Sequence, residues 1–224
     1  MVEFDVVAAG DAALVVQLPE RIDPIVNAWC VALARAMQLE LGTAIREAVI
    51  GYCSVTVYFN PQRADGAWLE EEIRAIAGAL EQVEPSDGAI VEVPVCYGGE
   101  LGPDLGDVAA FAGRSEEEVI SLHLGREYRV YLVGFVPGFA YMAEVDSAIA
   151  APRRASPRTA VPTGSVAIAG GQTGIYPSVT PGGWNIIGRT PAVPYDPARL
   201  TPFLFNPGDR VRFHRISEAD FKTW

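Results

Sequence analysis

Two rhythms of apolar residues alternate along the first ninety positions. Short apolar runs at Phe4–Ala8 and Ala12–Leu18 flank Gly10-Asp11, a hairpin signal. From Ile25 to Leu41 apolar side chains recur at Ile25, Trp29, Leu33, Ala36 and Leu39, near the helical period. Pro24 stands where a first helical turn tolerates proline, and Gly42 supplies a stop. Ile45–Ile50 and Ser54–Phe59 read as strands split by Gly51-Tyr52. Ala67–Val83 reads as a second helix, and its acidic start (Glu70, Glu71, Glu72) suits the helix dipole. The cluster Pro85-Ser86-Asp87-Gly88 ends that helix, and Ile90–Val95 is a further strand. The order strand–helix–strand–strand–helix–strand, behind one extra leading strand, predicts a ferredoxin-like α/β domain over residues 1–88, with a domain break in the region 84–100.

The pattern changes beyond that point. Asp104 is placed to cap a short helix reaching Ala112. Ser115-Glu116-Glu117-Glu118 reads as a capping box for a second, ending near Leu124. Between Gly134 and Gly188, 15 of 55 residues are Gly or Pro, which breaks the chain into short pieces. The apolar runs Arg129–Val133, Ser165–Ala169, Asn185–Ile187 and Asp209–Phe213 lie within or beside this region. Short strands with such frequent turns predict a small β-barrel over residues 89–224, and the fold class is therefore α+β.

Composition narrows the function. Nowhere do 18 apolar residues follow one another, so no membrane span is expected, and the N-terminus lacks the basic and apolar regions of a secretory signal. Cys30, Cys53 and Cys96 are odd in number and sit in apolar or strand-like settings, which points to reduced thiols in the cytoplasm. The net charge of −11 argues against general nucleic-acid binding. That charge is uneven: residues 1–125 carry a net −15 and residues 126–224 a net +4. The basic half suits a small anionic ligand, although two domains of different isoelectric point explain it equally well.

Familiar catalytic signatures are missing. The sequence holds no phosphate-binding G-x-x-x-x-G-K-[ST] loop, no G-x-S-x-G elbow and no H-E-x-x-H. His123 and His214 lack metal-ligand spacing, so no metal site is expected. What stands out are four glycine- and proline-rich loop motifs. They run Gly134–Tyr141, Pro152–Val166, Ala169–Pro177 and Pro181–Thr190. Glycine pairs such as Gly170-Gly171 let backbone approach a ligand closely and expose N–H donors. Gln172 and Thr173 can present polar groups over a cleft. Arg158 and Arg189 offer planar forks for carboxylate or phosphate. Tyr141, Tyr176 and Trp184 supply apolar walls with polar tips. Each has a plainer reading: glycines that only make turns, Trp184 as core, Arg153 and Arg154 as solvated or partner-facing, and His123 as a satisfied structural histidine.

These four stretches, together with Cys96–Leu105 and His123–Tyr131, resemble the signature of the family of the small subunit of bacterial ATP-dependent 5-oxoprolinase. That family is also known as allophanate hydrolase subunit 1 or KipI, and contains carboxyltransferase subdomains C and D. The likeness runs from about residue 3 to about 215, and Gly170–Pro177 followed by Pro181-Gly182-Gly183-Trp184 is its most specific part. The resemblance implies a cyclophilin-like barrel behind a smaller α/β domain. It also implies a larger homologous partner subunit and a third, separate subunit. Such a complex opens the lactam of 5-oxoproline to L-glutamate, driven by ATP hydrolysis, with ATP bound at the level of the complex. Other branches are a KipI-type inhibitor of a sensor histidine kinase and a subunit related to urea carboxylase or allophanate hydrolase. On this reading Arg158, Gln172 and His123 are the catalytic candidates. Tyr141, Gly170, Gly171, Thr173, Tyr176 and Arg189 line the substrate site. One cleft on the barrel is expected to gather Arg158, Gln172, Thr173, Tyr176, Tyr141 and His123.

Overall fold

The computed structural model describes residues 2–80 and 88–224. The chain divides into two compact units, residues 1–87 and 88–224. The expected cluster at Pro85, Ser86 and Asp87, and the end of the second helix beyond Leu80, lie outside the described residues.

The first unit is a four-stranded antiparallel sheet with two helices. Its elements are β1 (Asp5–Ala8), β2 (Ala13–Gln17), α1 (Pro24–Leu41), β3 (Ile45–Ile50), β4 (Ser54–Phe59) and α2 (Gly66–Ala79), with strand order β1-β2-β4-β3. Asp23 starts α1 by accepting hydrogen bonds from the amides of Ile25 and Val26, and Asp65 starts α2 in the same way through Ala67 and Trp68. The buried stripe of α1 is Val26, Trp29, Cys30, Leu33, Ala34, Met37 and Leu41. Ile25 and Leu39, expected on that stripe, are 55% and 79% exposed. They lie off the 26–29–33–37 line, and a helix turns each residue by about 100°. The stripe packs on Leu14, Val16, Val55 and Val57, the alternate residues of β2 and β4.

The strand expected to complete this sheet does not join it. β5 (Ile90–Tyr97) pairs instead with β12 (Asn185–Arg189) and, in parallel, with β13 (Arg210–Arg215). The edge beside β2 is taken by β1, which the tight Gly10-Asp11 hairpin brings back at once. Every residue of β5 from Val93 to Tyr97 is buried, as suits a barrel strand covered on both faces.

The second unit is a closed seven-stranded barrel, ordered β10-β7-β6-β13-β5-β12-β9. Its remaining strands are β6 (Glu127–Val133), β7 (Ala140–Ala143), β9 (Ser165–Ala169) and β10 (Gln172–Ile175). A two-stranded ribbon, β8 (Arg158–Val161) and β11 (Thr180–Gly182), lies beside it, with helices α3 (Leu105–Ala112), α4 (Glu116–Leu124) and α5 (Glu218–Thr223). The interior is filled by Val93, Val95, Val130, Met142, Val166, Ile168, Ile175 and Ile187, and Leu105, Val108, Val119 and Ile120 of α3 and α4 join the same core. The capping box of Ser115 and Glu118 forms as expected. Strands β7 and β10 fall inside stretches that read as loop motifs, because ladder pairing rather than local preference makes them strands. All three cysteines are free, and burial pushes the Cys30 thiol up to about 12. Among the described residues no helix is long and apolar enough to cross a membrane.

Two glycines with opposite surroundings test this packing. A Cβ on Gly102 would collide with the Ile187 carbonyl and come within 2.6 Å of the Gly98 nitrogen, whereas one on helical Gly78 meets nothing within 4 Å. Gly102→Ala is expected to lose about 1–3 kcal/mol in urea unfolding. Gly78→Ala is expected to gain up to about 1 kcal/mol.

Candidate functional site

Side chains alternate across each barrel strand, and that alternation divides the expected site residues. On β10, Thr173 and Ile175 face inward, while Gln172 and Gly174 face outward. On β7, Met142 faces inward and Tyr141 outward.

The inward group is a sealed hydrogen-bond chain. His123, at the end of α4 and fully buried, has Nδ1 2.8 Å from the Tyr97 hydroxyl and Nε2 3.0 Å from Thr173 Oγ1. Thr173 donates its own proton to the Ala167 carbonyl at 3.1 Å. The arrangement that satisfies every donor has Tyr97 donating to Nδ1 and Nε2–H donating to Thr173, so the network assigns the tautomer. The imidazole stacks on Phe213 at 4.7 Å and lies 5.2 Å from the Tyr128 ring. Burial without a charged partner holds its pKa down to about 3, so the ring is neutral. His123 and Thr173 therefore do not share a cleft with the other candidates, because the barrel wall stands between them. Tyr97 was missed by sequence reasoning; it lies 26 residues from His123, and only barrel closure brings them together.

On the outside, a carboxylate organises the arginines. Asp104 was expected to cap α3, yet its side chain makes no cap bond. Its Oδ2 accepts from the Ile186 amide at 2.7 Å and from Arg158 Nη1 at 2.8 Å. Its Oδ1 accepts from Arg158 Nη2 at 2.8 Å and Arg154 Nη1 at 2.6 Å. The bidentate fork expected to hold a ligand carboxylate is thus already closed on the protein's own, and this hydrogen bonding raises the Arg158 pKa further. No local pattern signals this role for Asp104, since its arginines lie 50 and 54 residues away.

Beside this cluster lies an aromatic face. Phe139, Tyr141, Tyr176 and Trp184 pack mainly edge-to-face, with centroids 4.7–5.8 Å apart in the contacts Phe139 makes with each of the others and Tyr141 makes with Trp184. Gly182 is required here, because a Cβ would strike the Tyr176 ring. Trp184 is 4% exposed, so it is chiefly core, while Tyr141 and Gln172 are half-buried at the rim. Desolvation raises the Tyr141 and Tyr176 pKa values, and Arg153 nearby opposes the shift. The Arg153 guanidinium carbon sits 5.9 Å from the Trp184 ring centroid. The cation on this face is therefore Arg153, which sequence reasoning set aside as solvated or partner-facing.

The remaining candidates are occupied or remote. Gly170, with φ +56°, and Gly171 form the turn between β9 and β10. The Gly170 amide donates to the Ala151 carbonyl at 2.7 Å. Arg189 donates through Nε to the Thr163 carbonyl at 2.6 Å. It pairs with Ser165, at the opposite end of β9 from Gly170, roughly 15 Å away at strand spacing. Among the described residues no group of three His, Cys, Asp or Glu is arranged to hold a metal ion. Tyr176 and Phe139 are each 2% exposed, so with Trp184 they form a buried cluster rather than the walls of an open site, and the polar groups of this face that reach solvent are Arg153, Tyr141 and Gln172.

The chain is of the carboxyltransferase-domain class. Residues 4–205 match the model of the carboxyltransferase domain, subdomain C and D, and the chain belongs to that family. The B subunit of the 5-oxoprolinase of Bacillus subtilis (strain 168) is 39% identical, over all of this chain and 97% of the relative. That of Escherichia coli O157:H7 is 45% identical over 75% of this chain and 76% of the relative. The crystal structure of TTHA0988 is 40% identical, with a TM-score of 0.81 over 92% of this chain. The present chain spans only 40% of the length of that protein. The Kluyveromyces lactis urea carboxylase shares the fold, with a TM-score of 0.82 at 18% identity over 99% of this chain and 22% of that one.

The buried imidazole makes stability depend on pH in a defined direction. Below about pH 6.5 the unfolded chain binds a proton at His123 that the folded chain refuses until about pH 3. Stability should fall as pH falls through that window, by about 1.4 kcal/mol per unit from this residue. Urea unfolding of His123→Gln between pH 6 and 4 is expected to show a slope shallower by one proton, whatever the variant's absolute stability.

Proposed function

We propose that this chain is the small subunit of a 5-oxoprolinase, acting with a larger homologous subunit and a third subunit to hydrolyse 5-oxoproline to L-glutamate, driven by ATP hydrolysis. The observation that carries this reading is the likeness, at 38–45% identity, to three proteins that bear the name of a 5-oxoprolinase subunit. The outer face supports it, since 5-oxoproline is a small carboxylate and Arg153 presents a cation beside an aromatic cluster. ATP is bound at the level of the complex. In this scheme Gln172 donates a hydrogen bond to the oxyanion that develops as the lactam opens, and Tyr141 bounds the substrate. His123 keeps a structural role, and Arg158 acts through Asp104 rather than on substrate.

Two measurements test the proposal. Co-expression with candidate partner subunits should give ATP-dependent release of glutamate from 5-oxoproline, and the purified chain alone should give none. Turnover by the isolated chain, or its absence from every assembled complex, refutes the assignment. Within the active complex Gln172→Ala should lower kcat by about 10²–10³ without lowering Tm. A lower Tm with kcat retained would reduce Gln172 to a packing role.

A further inference from the structure

A groove of about 380 Å³ opens between α3 and the segment 151–156, with Asn185 at its floor. Its volume falls in the range of small-molecule sites. The segment is held by three bonds: Gly170 N–H to the Ala151 carbonyl at 2.7 Å, Asn185 Nδ2 to the Pro152 carbonyl at 2.8 Å, and Arg154 N–H to the Gly183 carbonyl at 2.8 Å. Whatever the segment binds therefore meets a wall already ordered, with little entropy left to lose.

The charge in this wall is unbalanced. Asp104 commits both oxygens to Arg154, Arg158 and the Ile186 amide. Asp107, at the rim and 75% exposed, stands 3.6 Å from Arg154. That leaves Arg153 with no carboxylate partner among the described residues; it lies over the Trp184 ring. At 5.9 Å from the centroid the guanidinium is at the outer edge of cation–π range, and its planar N–H fork suits in-plane hydrogen bonds to an anion. Arg154 engages Asp104 and Asp107 through Nη1 alone, and its buried Nε has no acceptor among the described residues. The opposite wall, on α3, carries Phe111, 56% exposed, and the Asp107 carboxylate already paired with Arg154. A cationic edge facing an exposed aromatic ring suits a molecule with an anionic head and a small apolar body.

We propose that this groove binds the anionic head of a small molecule, a carboxylate or a phosphoryl group, through Arg153 with support from Arg154. The groove shares Arg153 with the face proposed for 5-oxoproline, and the choice of 5-oxoproline as a probe rests on that reading, but anion binding in the groove does not need it. The test uses the full chain, ¹⁵N-labelled, titrated by NMR with inorganic phosphate and, separately, with 5-oxoproline. Saturable shifts are expected at the amides of residues 153–156 and 107–111 with at least one probe. A response to phosphate alone identifies a phosphoryl site, and a response to 5-oxoproline alone a carboxylate site. Arg153→Gln should weaken that binding by about tenfold or more, the loss of one charge-assisted bond. Arg114→Gln, which removes an exposed arginine paired with Glu118, should leave it unchanged. The proposal is overturned by the absence of saturable shifts in the groove with both probes. It is equally overturned by shifts confined to the larger cleft beside Arg215 and Phe221, or by Arg153→Gln and Arg114→Gln behaving alike. Anion binding here without glutamate release in any complex would leave the groove standing and remove the oxoprolinase reading.

Discussion

Asp104 is a carboxylate with 3% of its side chain exposed, and the outer face of the barrel is arranged around supplying its hydrogen-bond partners. A buried carboxylate is costly unless every lone pair is answered, and removing a partner from such a group typically costs about 3–5 kcal/mol. Here the answers come from three distant parts of the chain: the Ile186 amide at the start of β12, Arg158 at the start of β8, and Arg154 in the segment before it. The bonds tie α3 to the barrel and hold the 151–158 segment in one course across it. The position of Arg153 follows from that course. The loop is an ordered wall because the neighbours of Arg153 are both held, Pro152 by Asn185 and Arg154 by Asp104 and Gly183.

The barrel wall imposes the second constraint. With a period of two, adjacent residues on β10 belong to different environments, so Gln172 reaches the aqueous face while Thr173 closes a hydrogen-bond chain with His123 and Tyr97. A polar chain in so apolar an interior is stable only when every donor and acceptor is matched, and the tautomer that does so keeps the imidazole neutral. The inward chain belongs to the barrel core, sealed from solvent, while Gln172 stands on the other side of the wall.

The two arginines that stand out in the sequence show how far residue type leads. Arg158 and Arg189 carry the right groups for an anion, but the Arg158 fork closes on Asp104 and the Arg189 Nε donates to the Thr163 carbonyl. Residue type gives the chemistry of an arginine and not its partner, because an internal carboxylate 54 residues away satisfies the same geometry as a ligand's. Arg153 reads as a surface charge for the converse reason. Among the described residues no carboxylate pairs with it, and that is visible only when its neighbours are in place.

Local patterns determined what depends on neighbours a few residues away. The N-terminus of α4 with its Ser115–Glu118 box, the β1–β2 hairpin at Gly10-Asp11, and strands such as Ser165–Ala169 were legible because capping, turn geometry and short apolar runs bounded by turns act over a few residues. So was family membership, since the glycine and proline motifs mark backbone shapes that few chains share. Tertiary structure alone decided that β5 enters the barrel, that Gln172–Ile175 is a strand, and that Asp104 captures two arginines. Each of these is a pairing across 26 residues or more, or a pairing that local preference opposes. Its energy comes from closing the barrel and burying both partners, a cooperative gain that no window of sequence contains.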